Sequence, residues 1–242
     1  METTFLIIAA FLTSTISGMI GMAGGILLIS LMTFFLPVHI IIPIHGVAQL
    51  ASNSSRSWLL RHEISKPILK NFLIGLPFGV LASYFLVREI EFKELFYLFI
   101  AALIFWALFK PKRLNIGVVK PVHFIAIGLV TGFLALFVGA TGPFLAPFFL
   151  QANLRKEELV ATKAITQFFT HLLKIPAFIG LGFAYGEYTI EIIGLILATI
   201  IGTRTGVHFL KKIKNEQFNK MFKAALLIAA FRLILKFGEA VT

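Results

Sequence analysis

The chain has 242 residues, 58% of them hydrophobic and 14% charged, with a mean hydropathy of +0.93 and a net charge of +11. So much apolar surface exceeds what a soluble core needs and indicates a polytopic helical membrane protein. There is no cysteine, which excludes disulfides, thiolate metal sites and cysteine nucleophiles.

Ten apolar segments follow in chain order. The first covers about 3–20; no charge occurs from Thr3 to Val38. It lacks the basic flank and small-residue cleavage site of a secretory signal, so it reads as a retained helix. The second covers 24–36, the third 40–60, the fourth 67–87 and the fifth 94–109. The second half repeats this layout at about 119–138, 142–152, 158–180, 189–210 and 217–237. The segments at 24–36 and 142–152 are shorter than the roughly 20 residues of a full span and are expected as half-helices that meet the broken ends of their predecessors. Counted as spans, the segments number eight to ten.

The connections set the expected sides. Arg56, Arg61, Lys66 and Lys70 lie around one, Lys110, Lys112, Arg113 and Lys120 around another, and Lys211, Lys212, Lys214, Lys220 and Lys223 around a third. Excess Lys and Arg collects in cytoplasmic loops, so the net charge reports orientation and no nucleic-acid partner is expected. The 88–94 connection is balanced, and the one holding Glu187 and Glu191 has no base; both are expected outside. Tyr84, Tyr97, Tyr185 and Tyr188 then fall at the outer boundary, and Trp58 and Trp106 at the inner one, as an aromatic belt does. Each half has an odd number of segments, so the second copy runs upside down. The expected fold is an all-α polytopic membrane protein of two inverted repeats, 1–112 and 118–240, in a single transporter domain over 1–242.

The repeats are visible in the residues. Gly21-Met22-Ala23-Gly24-Gly25 and Gly139-Ala140-Thr141-Gly142-Pro143 lie 118 residues apart, and each precedes a short apolar run. Glycine breaks free the backbone, and the restarting helix offers unpaired N–H groups and a positive dipole end, which suits an anion. Irregular backbone at membrane depth survives only where protein or a wet cavity surrounds it. Gly75-xxx-Gly79 and Gly202-xxx-Gly206, by contrast, read as close helix packing. At the same offset of 118, His45 falls on Lys163, Gln49 on Gln167, Asn53 on His171 and Arg56 on Lys174. Their spacing keeps each set on one helical face, with Ser52 and Thr170 beside them. Two such faces meeting at a centre would offer amide, imidazole and cationic donors to an oxyanion. Arg56 and Lys163 lie near segment ends, where long cationic side chains also snorkel. The candidate substrate-binding residues are Gly24, Gly25, His45, Gln49, Asn53, Arg56, Thr141, Gly142, Lys163, Gln167, His171 and Lys174.

The chain has no Asp, and its Glu residues sit at termini or segment ends. That speaks against a carboxylate proton relay or sodium site. No metalloprotease, nucleophile-elbow or phosphate-loop motif occurs, so no enzyme activity, metal or cofactor is expected.

With these motifs, the chain resembles the sulfite exporter TauE/SafE family of membrane permeases. The likeness rests on Gly21–Gly25 with Pro37, and on the second-half echo Gly139–Pro143 with Pro147. Thr141 and Pro143 stand where the family has a fuller glycine run. The resemblance implies a multi-pass inner-membrane exporter of sulfite or an organosulfonate, working by alternating access between the repeats. An anion channel, or a permease for another small sulfur compound or a carboxylate, is the alternative. The expected partners are a small anion and the lipid bilayer.

Overall fold

The computed structural model describes residues 2–32, 34–89 and 118–241, with isolated positions between 98 and 109. Most of the expected fifth segment lies outside the described residues, as do Tyr97, Trp106, Lys110, Lys112 and Arg113. The helices are α1 (Glu2–Ile20), α2 (Gly24–Met32), α3 (Val38–Leu59), α4 (Lys66–Leu86), α5 (Phe124–Val138), α6 (Gly142–Leu150), α7 (Lys156–Gly180), α8 (Thr189–Leu210) and α9 (Asn215–Val241). No strand occurs among the described residues.

Local chemistry sets several starts. Pro37 precedes α3, Pro67 occupies the first turn of α4, and Pro143 that of α6, where a missing N–H costs nothing. Glu157 and Glu158 sit in the first turn of α7, favourably placed for the helix dipole. The two breaks need positive φ: Gly21 lies at 81° and Gly139 at 73°. Ala23 shares that left-handed region at 69°, a strained setting for a side-chain-bearing residue.

Helices α1 and α4, and the stretches 121–138 and 185–210 that contain α5 and α8, are long and apolar enough to cross a membrane. They keep large apolar groups on the outside: Phe78 and Phe85 are 66% exposed and Ile190 76%. Water would not tolerate such a surface; lipid does. Helices α3 and α7 are as long, but each carries the polar face and is buried against the other. Helices α2 and α6 have 9 residues each, about 13 Å at 1.5 Å per residue, half of a bilayer core.

The packing pairs one half with the other. Helix α4 lies along α5, where a Cβ on Gly75 would fall 1.9 Å from the Ile125 carbonyl and one on Gly79 1.9 Å from that of Leu129. Helix α1 lies along α8 in the same manner, through Gly202 against Phe11 and Gly206 against Thr15. A shift of 118 residues carries α1 onto α5 and α4 onto α8, so these are equivalent pairs. Between α3 and α7 the order of contact reverses. His45 meets His171 and Gly46 lies by Lys174, whereas Ser65, just past α3, donates its N–H to Thr162 Oγ1 at 2.8 Å. The two equivalent helices therefore pass each other in opposite directions.

One face of the bundle gathers the α3–α4, α6–α7 and α8–α9 connections. Arg155 pairs with Glu63 at 2.7 Å, and Lys156 Nζ donates to the carbonyls of Leu210 and Ile213. The opposite face joins the ends of α4 and α7, with Tyr84 Oη donating to the Gly180 carbonyl. The expectation of Arg56 as part of the α3–α4 connection or as a snorkelling side chain is corrected here. It lies inside α3 and is 2% exposed, because its guanidinium turns inward to hydroxyl and amide oxygens and away from the membrane surface.

Candidate functional site

The two helix breaks and the polar faces of α3 and α7 meet at the centre. They line a cavity of about 20 Å³ with residues from both halves. Gly25, His45, Gln49, Asn53 and Arg56 line it from the first half, and Gly142, Lys163, Gln167 and His171 from the second.

The breaks bring backbone to the cavity. A helix start leaves its first N–H groups without intrahelical acceptors, and α2 and α6 both start here. Gly25 lies close to the polar face of α3: a Cβ there would sit 3.4 Å from both Gln49 Oε1 and His45 Nε2. His45 Nε2 lies 2.9 Å from the Gly25 carbonyl, which fixes the ring against α2. At the second break, Gln167 Nε2 donates to Thr141 Oγ1 at 3.0 Å. A Cβ on Gly142 would lie 3.5 Å from Lys163 Nζ.

The cations are held by neutral oxygen. Arg56 donates to Ser17 Oγ at 2.9 Å, to Ser52 Oγ at 3.2 Å and to Asn53 Oδ1 at 3.4 Å. Asn53 is itself fixed by donating to the Gln49 carbonyl at 2.8 Å. Lys163 Nζ donates to the Gly21 carbonyl at 3.0 Å, across from one half to the other. Lys174 Nζ donates to the Gly139 carbonyl at 2.9 Å, within its own half. All three cations are 3% exposed or less. No carboxylate lines the cavity among the described residues. Arg56 Nε and His171 Nδ1 are buried without a hydrogen-bond partner among the described residues. Buried cations that meet only dipoles leave a charge deficit that an anion would fill.

Three of the expected site residues stand just outside the lining. Gly24 backs onto α1, where a Cβ would lie 2.2 Å from the Thr13 carbonyl and 2.5 Å from Ser17 Cβ. Thr141 turns its hydroxyl to Gln167. Lys174 sits behind the cavity on the Gly139 carbonyl, with its ammonium 4.0 Å from where a Cβ on Gly46 would be.

A family model described as Sulfite exporter TauE/SafE matches residues 6–233, nearly the whole chain. The chain belongs to the sulfite exporter TauE/SafE family. The match spans both breaks and both polar faces. Membership in TauE/SafE, together with the apolar helices, makes this an integral membrane protein of a transporter family for sulfur anions. No curated protein and no solved structure matches the chain.

In this TauE/SafE chain the site also uses residues outside the twelve candidates. Ser17 of α1 and Ser52 of α3 both accept from Arg56, and Ser52 shares a 2.7 Å hydrogen bond with Thr203 of α8. Ser17 follows Thr13, Ser14 and Thr15 in an otherwise apolar stretch of α1, where such hydroxyls usually bond their own backbone, as Thr13 and Thr15 do. Its one sequence signal is position: it lies one turn before the Gly21 break.

Proposed function

We propose that the chain exports a small sulfur oxyanion, sulfite or an organosulfonate, across the cell inner membrane, which it crosses several times. The observation that carries the proposal is the buried cation cluster at the centre, free of acids among the described residues: Arg56 and Lys163 line the cavity, Lys174 stands behind it, and their partners there are neutral oxygens. Oxyanions accept several hydrogen bonds, and the amides of Gln49 and Gln167 add donors beside the charges.

The opposite courses of α3 and α7 and the equivalent α1–α8 and α4–α5 pairs support an inverted-repeat arrangement. The gathering of the α3–α4, α6–α7 and α8–α9 connections on one face supports that face, with its Lys and Arg, as the cytoplasmic one. A cavity of about 20 Å³ holds one water and no sulfite ion, which supports reading this arrangement as a stage of a carrier in which substrate has no room. Substrate gains access when one repeat rocks against the other, and the Lys163–Gly21 hydrogen bond is broken as they part.

The test is counterflow in proteoliposomes loaded with sulfite and challenged with sulfite, sulfate, sulfonates and carboxylates. The expected result is exchange with sulfite and sulfonates, reduced by Gln167→Ala at unchanged levels of folded protein. Exchange with carboxylates alone would overturn the substrate class, and unchanged flux in Gln167→Ala would remove that residue from the site.

A further inference from the structure

Arg204 departs from the way this chain handles charge at membrane depth. It lies within the 185–210 stretch that is long and apolar enough to cross a membrane. Arg56 turns inward; Arg204 is exposed on the outer surface of α8, beside Ile201 and Leu197, which are 56% and 57% exposed. It has no hydrogen bond or ion pair among the described residues. A guanidinium on a lipid-facing surface is costly unless it meets an anion or water.

A groove of about 290 Å³ opens beside it, between α3 and α8. Its lining includes Ala51, Ser54, Ser55, Trp58, Ile200 and Arg204. Trp58, 69% exposed, stands at the end of α3, and the Arg61 guanidinium lies 4.9 Å over its ring. The groove is thus two-natured. Guanidinium, indole and hydroxyl groups stand on its boundary side, and Ala51 and Ile200 form an apolar floor. Arg204 lies six residues before the end of α8, about 9 Å along the helix at 1.5 Å per residue, within reach of a long side chain that snorkels.

The geometry points to a binding site for one anionic phospholipid. Its phosphate sits on the Arg204 guanidinium, its headgroup oxygens take hydrogen bonds from Ser54 and Ser55, and one acyl chain lies over Ala51 and Ile200. Trp58 packs along the glycerol level, where indoles settle at membrane interfaces. Charge complementarity selects the occupant: Arg61, Lys211 and Lys212 add positive charge at the same end, and anionic headgroups are drawn to such clusters. The site borders the seam that supports the central cavity. Thr203, next to Arg204, holds Ser52 by a 2.7 Å hydrogen bond, and Ser52 accepts from Arg56. A lipid in the groove braces α3 against α8 from outside.

Native mass spectrometry of the full chain, delipidated in detergent and titrated with phosphatidylglycerol or phosphatidylcholine, tests this. The wild type is expected to retain one phosphatidylglycerol and to melt higher with it. Arg204→Gln is expected to bind it about tenfold more weakly. Ala51→Trp, which fills the groove and keeps the charge, is expected to do the same, and decides the matter if Arg204→Gln folds poorly. Lys212→Gln should bind within about twofold of wild type. Equal lipid binding in wild type, Arg204→Gln and Ala51→Trp would overturn the site. So would a loss as large in Lys212→Gln, displacement of the lipid by inorganic phosphate alone, or a dimer that Arg204→Gln dissolves without change in lipid binding.

Discussion

The two helix breaks lie 118 residues apart in the chain and are used differently. Gly24 and Gly142 correspond at the 118-residue offset. Gly24 is pressed against the backbone of α1, whereas Gly142 faces Lys163 and Gln167 across the cavity. In the first half, Gly25 takes the cavity-facing place. The cations divide in the same way. Lys174 braces the Gly139 break of its own half, and Lys163 reaches over to the Gly21 break of the other. Single side chains thus assign one break to holding the halves together and the other to internal support.

The largest effect expected from this contrast is on transport. Lys163→Met removes a cavity charge and the cross-half hydrogen bond, and lowers sulfite flux in proteoliposomes by about 30-fold or more, the equivalent of ~2 kcal/mol for a buried charged partner. Lys174→Met, behind the cavity, lowers flux less and melting temperature more. Equal flux losses with equal melting would erase the distinction between the two lysines.

The glycine pair gives the next effect. Gly24→Ala forces a Cβ onto the Thr13 carbonyl and costs about 1–3 kcal/mol, read as a lower melting temperature and poorer yield. Gly142→Ala meets only ordinary contacts, keeps the wild-type melting temperature and lowers flux. If both variants melt alike, the two breaks are not differently packed. A smaller effect is expected at the seam: Thr203→Val deletes the hydrogen bond to Ser52 and costs about 1 kcal/mol in a thermal melt. Finally, because the chain has no cysteine, His62→Cys and Glu187→Cys each provide a single reactive thiol. A membrane-impermeant maleimide applied to intact cells is expected to label Glu187→Cys and to leave His62→Cys unmodified; the reverse would invert the proposed sides.

Much of this arrangement is legible in the sequence because membrane helices obey strict length and charge limits. The half-length of α2 and α6, the close-packing glycines Gly75, Gly79, Gly202 and Gly206, and the matched faces of α3 and α7 follow from spacing alone. Hydroxyl partners do not. Thr13 and Thr131 bond the carbonyls of Ala9 and Ile127 in their own helices, and apart from the place of Ser17 one turn before the Gly21 break nothing in the sequence separates them from Ser17 and Thr203, which reach across to other helices. Arg56 stands among the sequence candidates, but its choice between the polar face and the membrane boundary stays open for a related reason. A cation near a helix end reads as a boundary residue until the oxygens around it are known.

The central claim is that buried cations without an acid among the described residues form an anion site. Equilibrium binding of sulfite to the detergent-purified chain, with wild type and Arg56→Met compared at equal melting temperature, tests it most directly. The account predicts saturable sulfite binding by the wild type, weakened about 30-fold or more in Arg56→Met. Sulfite binding of equal affinity in both proteins would contradict it.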